Sequence, residues 1–326
     1  MKRRTFLKST LATAAAASLA ETVFGKPLAP FKLFDTHAHF YTNEPDKYPF
    51  NASGARYGAE RMIAKAMAKP MTPEVVFRFW DEVGIEKGLG VQYNSTYATD
   101  NRYLLDICAK YPERIIAVVI LSPTDPATPE TLARMAKENR IAGVRFTGPA
   151  DASGNFRFLS DEAKGAWEAA NDLGLSITLM PLGPQVPHAL KRVAEHAARY
   201  PNVKIVLDHI GFPRPQDLPK TFGLTREHLL LAEHKNVYYK YTTFLMEMIL
   251  EAKVPLKDFL HHMVGVYGAD QFVWGTDVGN SEVDDVEFVR HALASAEGLT
   301  LTQKKAIFYD TASRVFIPGG RGPAHS

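Results

Sequence analysis

The chain is poor in cysteine: Cys108 is the single one among 326 residues, which excludes an intramolecular disulfide in any compartment. It has no long hydrophobic run either. The weakly apolar stretch Leu11–Ala20 falls well short of the ~18–20 residues needed to span a bilayer, so a membrane-spanning bundle is excluded. Neither sign of charge is in excess. The formal net charge is +2, but Lys2, Arg3, Arg4 and Lys8 lie in a 20-residue N-terminus without acids; beyond it 34 basic residues face 36 acidic ones. Bulk charge therefore supports no nucleic-acid or anionic-lipid partner. No Gly-x-Gly-x-x-Gly follows any strand-like run, so no dinucleotide site is written in.

What is present is the composition of a globular protein, 46% hydrophobic and 23% charged, long enough for one large barrel or two ordinary domains. Residues 1–20 read as an export signal: a basic start, a small apolar run, and a Ser18-Leu19-Ala20 ending suited to cleavage. The Arg3-Arg4-Thr5-Phe6-Leu7-Lys8 segment resembles a twin-arginine signal, with Lys2 where a small polar residue is usual. The expectation is a periplasmic, soluble mature chain beginning near Glu21, whose partners are the Tat export machinery and a small-molecule substrate. Residues 21–31 are expected to be a linker, 32–317 the folded domain and 318–326 a tail.

Eight β-rich runs alternate with amphipathic helical stretches: Lys32–His37, Lys87–Gln92, Arg114–Leu121, Ala142–Phe146, Leu175–Pro181, Val203–His209, Val237–Thr242 and Phe272–Asp277. Their mean step of roughly 34 residues is the length of a strand, a loop and a helix. Strict alternation predicts a parallel sheet, and eight units predict closure into a single-domain (β/α)8 TIM barrel, with an open doubly wound sheet as the alternative. Two connections, Phe40–Met71 and Gly211–Leu224, are too long for plain turns. In a barrel, long connections after strands lie at the catalytic rim.

Three strand ends carry chemistry. In Asp35-Thr36-His37-Ala38-His39 the histidines are two residues apart, so both side chains point the same way, inward at the rim. His209 closes the sixth run and Asp277 the eighth. A strand's own core would prefer apolar side chains at such places, so these groups are read as a site where His37, His39, His209 and Asp277 converge. Arg145, ending the fourth run, can clamp a substrate carboxylate or pair with an acid of the barrel. Arg56 and Tyr57 lie on the long first connection and can close over a substrate. Alternation leaves the direction of Lys240 open, and His188 reads equally as a cap or a ligand. His196, His228, His234, His261, His262, His291 and His325 fall in helices or the tail and read as surface groups. Cys108 reads as the core face of a helix.

His37-x-His39, a strand-six histidine and a strand-eight aspartate together resemble the amidohydrolase superfamily. Ala306–Phe316 is similar to its closing segment, with Thr311 in place of the usual asparagine. Gly143–Phe146, Asp208-His209-Ile210-Gly211-Phe212-Pro213, Trp274-Gly275-Thr276-Asp277, Tyr48-Pro49-Phe50 and Ala55-Arg56-Tyr57 resemble the branch of 2-pyrone-4,6-dicarboxylate lactonases and sugar lactonases. The chain departs from the family in two places. Strand four ends without the lysine of two-metal members, and Ile177–Pro181 lacks the histidine that one-metal members use. The resemblance implies a hydrolase opening a lactone or related cyclic ester. Asp277 would act as base on a water and His37, His39 and His209 as donors to the oxyanion. The cofactor is either none or one divalent ion such as zinc, held by His37, His39 and Asp277. A metal-dependent non-oxidative decarboxylase and a non-catalytic solute-binding barrel are the alternatives.

Overall fold

The computed structural model describes residues 27–55, 57–138 and 141–317. The eight strands are β1 (Leu33–Ala38), β2 (Ile85–Val91), β3 (Ile115–Ile120), β4 (Ile141–Pro149), β5 (Ser176–Leu182), β6 (Lys204–Leu207), β7 (Val237–Thr242) and β8 (Phe272–Gly275). They form one parallel sheet in sequential order. Its two edges meet where His39 N donates to Val278 O at 3.0 Å and Asp277 N to His37 O at 2.7 Å. The sheet therefore rolls into the expected (β/α)8 barrel and is not open.

Strands buried on both faces need apolar residues at nearly every position. Ile115–Ile120 is apolar and buried throughout. The core divides accordingly. Phe34, Leu89, Ile116, Val118, Val206 and Val273 fill the barrel with Ala312, Val315 and Phe316 of the closing helix Thr311–Phe316. A larger cluster that includes Trp80, Trp167 and Phe259 packs separately from it.

The strands at the site end earlier than alternation predicts: β6 stops at Leu207 and β8 at Gly275. Left-handed backbone follows each, at His209 (φ 53°), Ile210 (φ 57°) and Asp277 (φ 56°), and extended pairing cannot pass through that conformation. β4 instead continues to Pro149. Among the described residues the structure adds helices to the expected alternation, the longest being Ala59–Ala68 inside the long first connection and Thr243–Glu251 directly after β7. The second starts without a loop because Thr242, still in the strand, caps it by accepting from Leu245 N.

β1 contains an irregularity that aims the histidines. Its register against β2 shifts between Asp35 and Ala38, so Phe34 and His37, three residues apart, both face the interior. Asp35 fastens the kink. Its Oδ1 accepts from His37 N and Thr276 N at 2.9 Å each, and its Oδ2 from Thr276 Oγ1 at 2.6 Å and Trp80 Nε1 at 3.0 Å.

The expected signal (1–20), the start of the linker and the tail (318–326) lie outside the described residues, as do Arg56 and His325. Among the described residues no helix is long and apolar enough to cross a membrane.

Candidate active site

The C-terminal ends of the strands bring together His37 from β1 and His39 directly after it, Arg145 from β4, Asp208 and His209 after β6, Lys240 from β7 and Asp277 after β8. All are buried. His37 can sit there because its neighbour across the seam has no side chain: a Cβ on Gly275 would lie 2.6 Å from His37 Cβ. His37 also stacks on His209, with ring centres 5.6 Å apart.

The groups beside each Nδ1 bear on which form of the imidazole nitrogens faces the centre. His39 Nδ1 is 2.8 Å from the carbonyl of Val91, which can only accept, so Nδ1 carries the hydrogen and Nε2 a lone pair. His37 Nδ1 stands 3.4 Å from Asp208 Oδ1, too poorly aligned for a hydrogen bond, yet the carboxylate's charge still favours the tautomer with the hydrogen on Nδ1 and a lone pair on Nε2. The two Nε2 atoms are 3.2 Å apart, and Asp277 Oδ1 lies 3.6 Å from His37 Nε2 and 3.4 Å from His39 Nε2. Asp277 Oδ1 is buried without a hydrogen-bond donor. In that tautomer three acceptors face one another with nothing of opposite polarity among them; in the other, His37 Nε2 donates to His39 Nε2. Their spacing is close to the ~3.3 Å between ligand atoms of a tetrahedral ion at bond lengths near 2.0–2.1 Å. The residues present therefore fit a divalent cation held by His37, His39 and Asp277.

His209 is set differently. Its Nδ1 is 2.6 Å from Thr242 Oγ1, and that hydroxyl already accepts from Leu245 N. Accepting from both would leave the buried hydroxyl's own hydrogen without an acceptor, so the hydroxyl donates to Nδ1 and His209 carries its hydrogen on Nε2.

Behind the imidazoles lies a buried ion network. Asp208 Oδ2 accepts from Arg145 Nε at 2.8 Å, and Lys240 Nζ stands 3.0 Å from Asp208 Oδ1, close but poorly aligned for a hydrogen bond. Burial would raise the Asp208 carboxyl, but Lys240 and Arg145 hold it well below the usual range. Burial lowers Lys240, with Asp208 opposing. Burial also pushes His37 down to about 3, the Lys240 charge adding to the effect, and His209 down to about 4. Burial would raise Asp277 too, yet the positive charge that His37 and His209 take up in acid keeps it below the usual carboxylate range. At neutral pH His37 and His209 are therefore neutral, and Asp208 and Asp277 ionised.

Above the centre, a cavity of about 480 Å³ opens between Tyr57, Phe212, Phe244, Glu247, Glu282 and neighbouring side chains. Asn280 lines it and donates from Nδ2 to Asp277 Oδ2 at 3.1 Å.

The structure thus gathers His37, His39, His209 and Asp277 at one place. Tyr57 is exposed at the mouth. Arg145 takes the second of its two expected roles: it is 4% exposed, with Nε on Asp208 and Nη2 2.9 Å from Met180 Sδ. His188 is exposed on its helix, away from the cluster. His196 and His228 are buried, contrary to expectation. Their rings pack inward and bond the carbonyls of Arg192 and Gly211. Cys108 is buried in its helix as expected, its thiol pushed up by burial to about 12. Reading the sequence missed Tyr93, Asn280 and the bridging role of Asp208. Asp208 alone left a signal, an ionisable residue ending an apolar run.

A family model described as amidohydrolase matches residues 34–317. The chain is 26% identical over 207 residues to an L-fucono-1,5-lactonase from Burkholderia ambifaria, a match covering 60% of this chain and 65% of that protein, less than two thirds of its length. Among solved structures it is similar to a protein described as a 2-pyrone-4,6-dicarboxylic acid hydrolase from Pseudomonas putida. That match has a TM-score of 0.67 and 23% identity and covers 87% of this chain and 97% of the other. A 5-carboxyvanillate decarboxylase from Novosphingobium aromaticivorans, complexed with manganese, matches with a TM-score of 0.66 and 15% identity over 90% of this chain and 99% of the other. The structural likenesses establish a shared barrel, and the family model spans nearly the whole of it in this chain, which accordingly belongs to the amidohydrolase family.

Proposed function

We propose that this chain is a hydrolase that opens a lactone or related cyclic ester at the mouth of the barrel. The observation that carries the reading is Asp277 Oδ1, a buried carboxylate oxygen without a donor, facing the Nε2 atoms of His37 and His39. Such an oxygen can take the proton of a water attacking a carbonyl. The free Nε2–H of His209 can donate to the carbonyl oxygen as negative charge gathers on it. His37 and His39 present acceptors, so the donor role expected of them passes to His209. A divalent cation held by His37, His39 and Asp277 would supply Lewis-acid polarisation of the carbonyl.

The surroundings favour a neutral ring over an anionic one. The expected carboxylate clamp, Arg145, is engaged by Asp208, and Glu247, Glu251 and Glu282 line the mouth with Tyr57, Phe212 and Phe244 against a single cation among the described lining residues, Arg61, which pairs with Glu282. Carboxylates bond hydroxyl groups and repel acids, while aromatic faces pack against a ring. The similarity to an L-fucono-1,5-lactonase supports the same reading.

The test is a panel of neutral and acidic lactones, run beside aromatic carboxylic acids, with zinc or manganese supplied and withheld. Hydrolysis of neutral lactones is expected. Release of carbon dioxide from the acids without lactone turnover would establish the decarboxylase instead, and ligand binding without turnover a solute-binding barrel. We also propose that the N-terminal segment directs export to the periplasm; changing Arg3 and Arg4 together to lysine should then retain the precursor in the cytoplasm.

A further inference from the structure

The two oxygens of Asp277 are treated differently. Oδ1 faces the imidazoles without a donor, and Oδ2 accepts from Asn280 Nδ2. A primary amide can present either end, and the choice here is made by Tyr93. Its hydroxyl lies 3.0 Å from Asn280 Oδ1 and donates to it, which turns the NH₂ group toward the carboxylate. Tyr93 is itself held in place. It is buried, and its ring stacks on His39 at 4.4 Å and on Tyr41 at 5.6 Å.

The backbone beneath the amide is fixed as well. Asn280 N donates to Asp277 O at 3.1 Å. Lys65 Nζ reaches the carbonyls of Gly279 and Asn280 at 3.3 and 3.4 Å, and Tyr41 donates to Gly279 O at 3.1 Å. Asn280 also lines the mouth, so its amide stands between the cavity and the buried carboxylate.

We propose that Asn280, oriented by Tyr93, is a positioning residue: it occupies Asp277 Oδ2 so that Oδ1 alone is presented to His37 and His39. The inference rests on the reading of His37, His39 and Asp277 as the reactive centre. An unheld carboxylate could rotate both oxygens among the lone pairs of two imidazoles, and the direction of its basic oxygen would be lost.

Calorimetric titration of metal-free protein with zinc tests this without any substrate, with thermal melts confirming that each variant folds. Asn280→Ala is expected to weaken zinc binding ~10–100-fold, the usual consequence of removing a group that orients a ligand. Tyr93→Phe keeps the stacked ring and removes only the hydroxyl, and should give a smaller loss in the same direction. Combined with Asn280→Ala it should add nothing, since the hydroxyl acts through the amide.

Zinc affinity in folded Asn280→Ala equal to that of the parent, or losses that simply add in the double variant, would overturn the proposal. Should Asn280→Ala not fold, Tyr93→Phe decides alone, and unchanged affinity there overturns it too. Asp277→Asn separates the two levels. If it loses zinc while Asn280→Ala keeps it, the positioning role fails and the centre stands. If Asp277→Asn binds as the parent does, or the parent binds no zinc, His37, His39 and Asp277 are not a metal site and the positioning role fails with it, while the base role of Asp277 is decided by lactone turnover.

Discussion

The lower and upper halves of the barrel interior are made from the same strands on opposite principles. In the lower half Phe34, Leu89, Val206 and Val273 fill space without a polar atom among their side chains. A few residues further along, the same strands or the turns that follow supply His37, Arg145, Asp208, Lys240 and Asp277, ionisable groups at or near hydrogen-bond distance of one another. The lower half is stable because its volume is occupied. The upper half is tolerated because Arg145 and Lys240 flank Asp208, and it leaves Asp277 among acceptors that a cation or a reaction can use. Damage below should therefore appear in stability, and damage above first in chemistry.

The sharpest break is Asp277→Asn, which keeps the shape and removes the basicity. Lactone hydrolysis should fall ~10²–10⁴-fold while circular dichroism stays unchanged; a variant retaining more than about a tenth of parental activity would exclude Asp277 as the base. Arg145→Met crosses the divide, because it strips Asp208 of one of its two cations. Urea unfolding should show a loss of ~3–5 kcal/mol, and kcat/KM should drop alike for neutral and acidic lactones. A much larger drop for acidic lactones would restore Arg145 as a carboxylate clamp.

Leu89→Ala probes the lower half, where the cavity left behind should cost ~2–5 kcal/mol in urea unfolding. Kinetics on the folded fraction should be unchanged; a fallen kcat would show that the halves are mechanically coupled.

The smallest effect concerns acid. Burial lowers His228 from 6.5 to about 4. Between those values the unfolded chain binds a proton that the folded chain refuses, so stability falls as pH falls through that window. His228→Gln should flatten the decline by at most ~1.4 kcal/mol per pH unit. Unfolding at pH 7, 5.5 and 4 measures it, and an unaltered slope would place the acid sensitivity elsewhere.

Most of the architecture was legible because a barrel strand is short, apolar and followed by a helix, and each of those properties is local. The ligand-like residues stood out for the same reason: His37, His39, His209 and Asp277 interrupt apolar runs where packing cannot account for them. What could not be read is relational. Whether Lys240 points in or out depends on the register of β7 against its neighbours, and Arg145 acquires its partner only when β4 and β6 are brought together. Asn280 and Tyr93 are ordinary loop residues until the turn after β8 folds over the end of β2. The left-handed turns at His209 and Asp277, which end two strands early, left no sign in the sequence because neither position carries glycine, the usual mark of that conformation.

The seam between β1 and β8 also governs when the site can exist. Thr36 donates to the carbonyl of Trp274, and Asp35 accepts from Thr276, across 238 and 241 positions of the chain. Contacts so remote form late, since the entropy of closing the intervening loop must be met before they return anything. During synthesis His37 and His39 emerge long before Asp277 has been added, and a half-built barrel holds two imidazoles without their carboxylate. Affinity for a cation should therefore arrive with the last strand, in step with the environment of the Trp80 indole that Asp35 holds. Refolding followed at once by zinc capture and by tryptophan emission should show both signals rising together, which would make a bound ion a marker of chains that have finished folding.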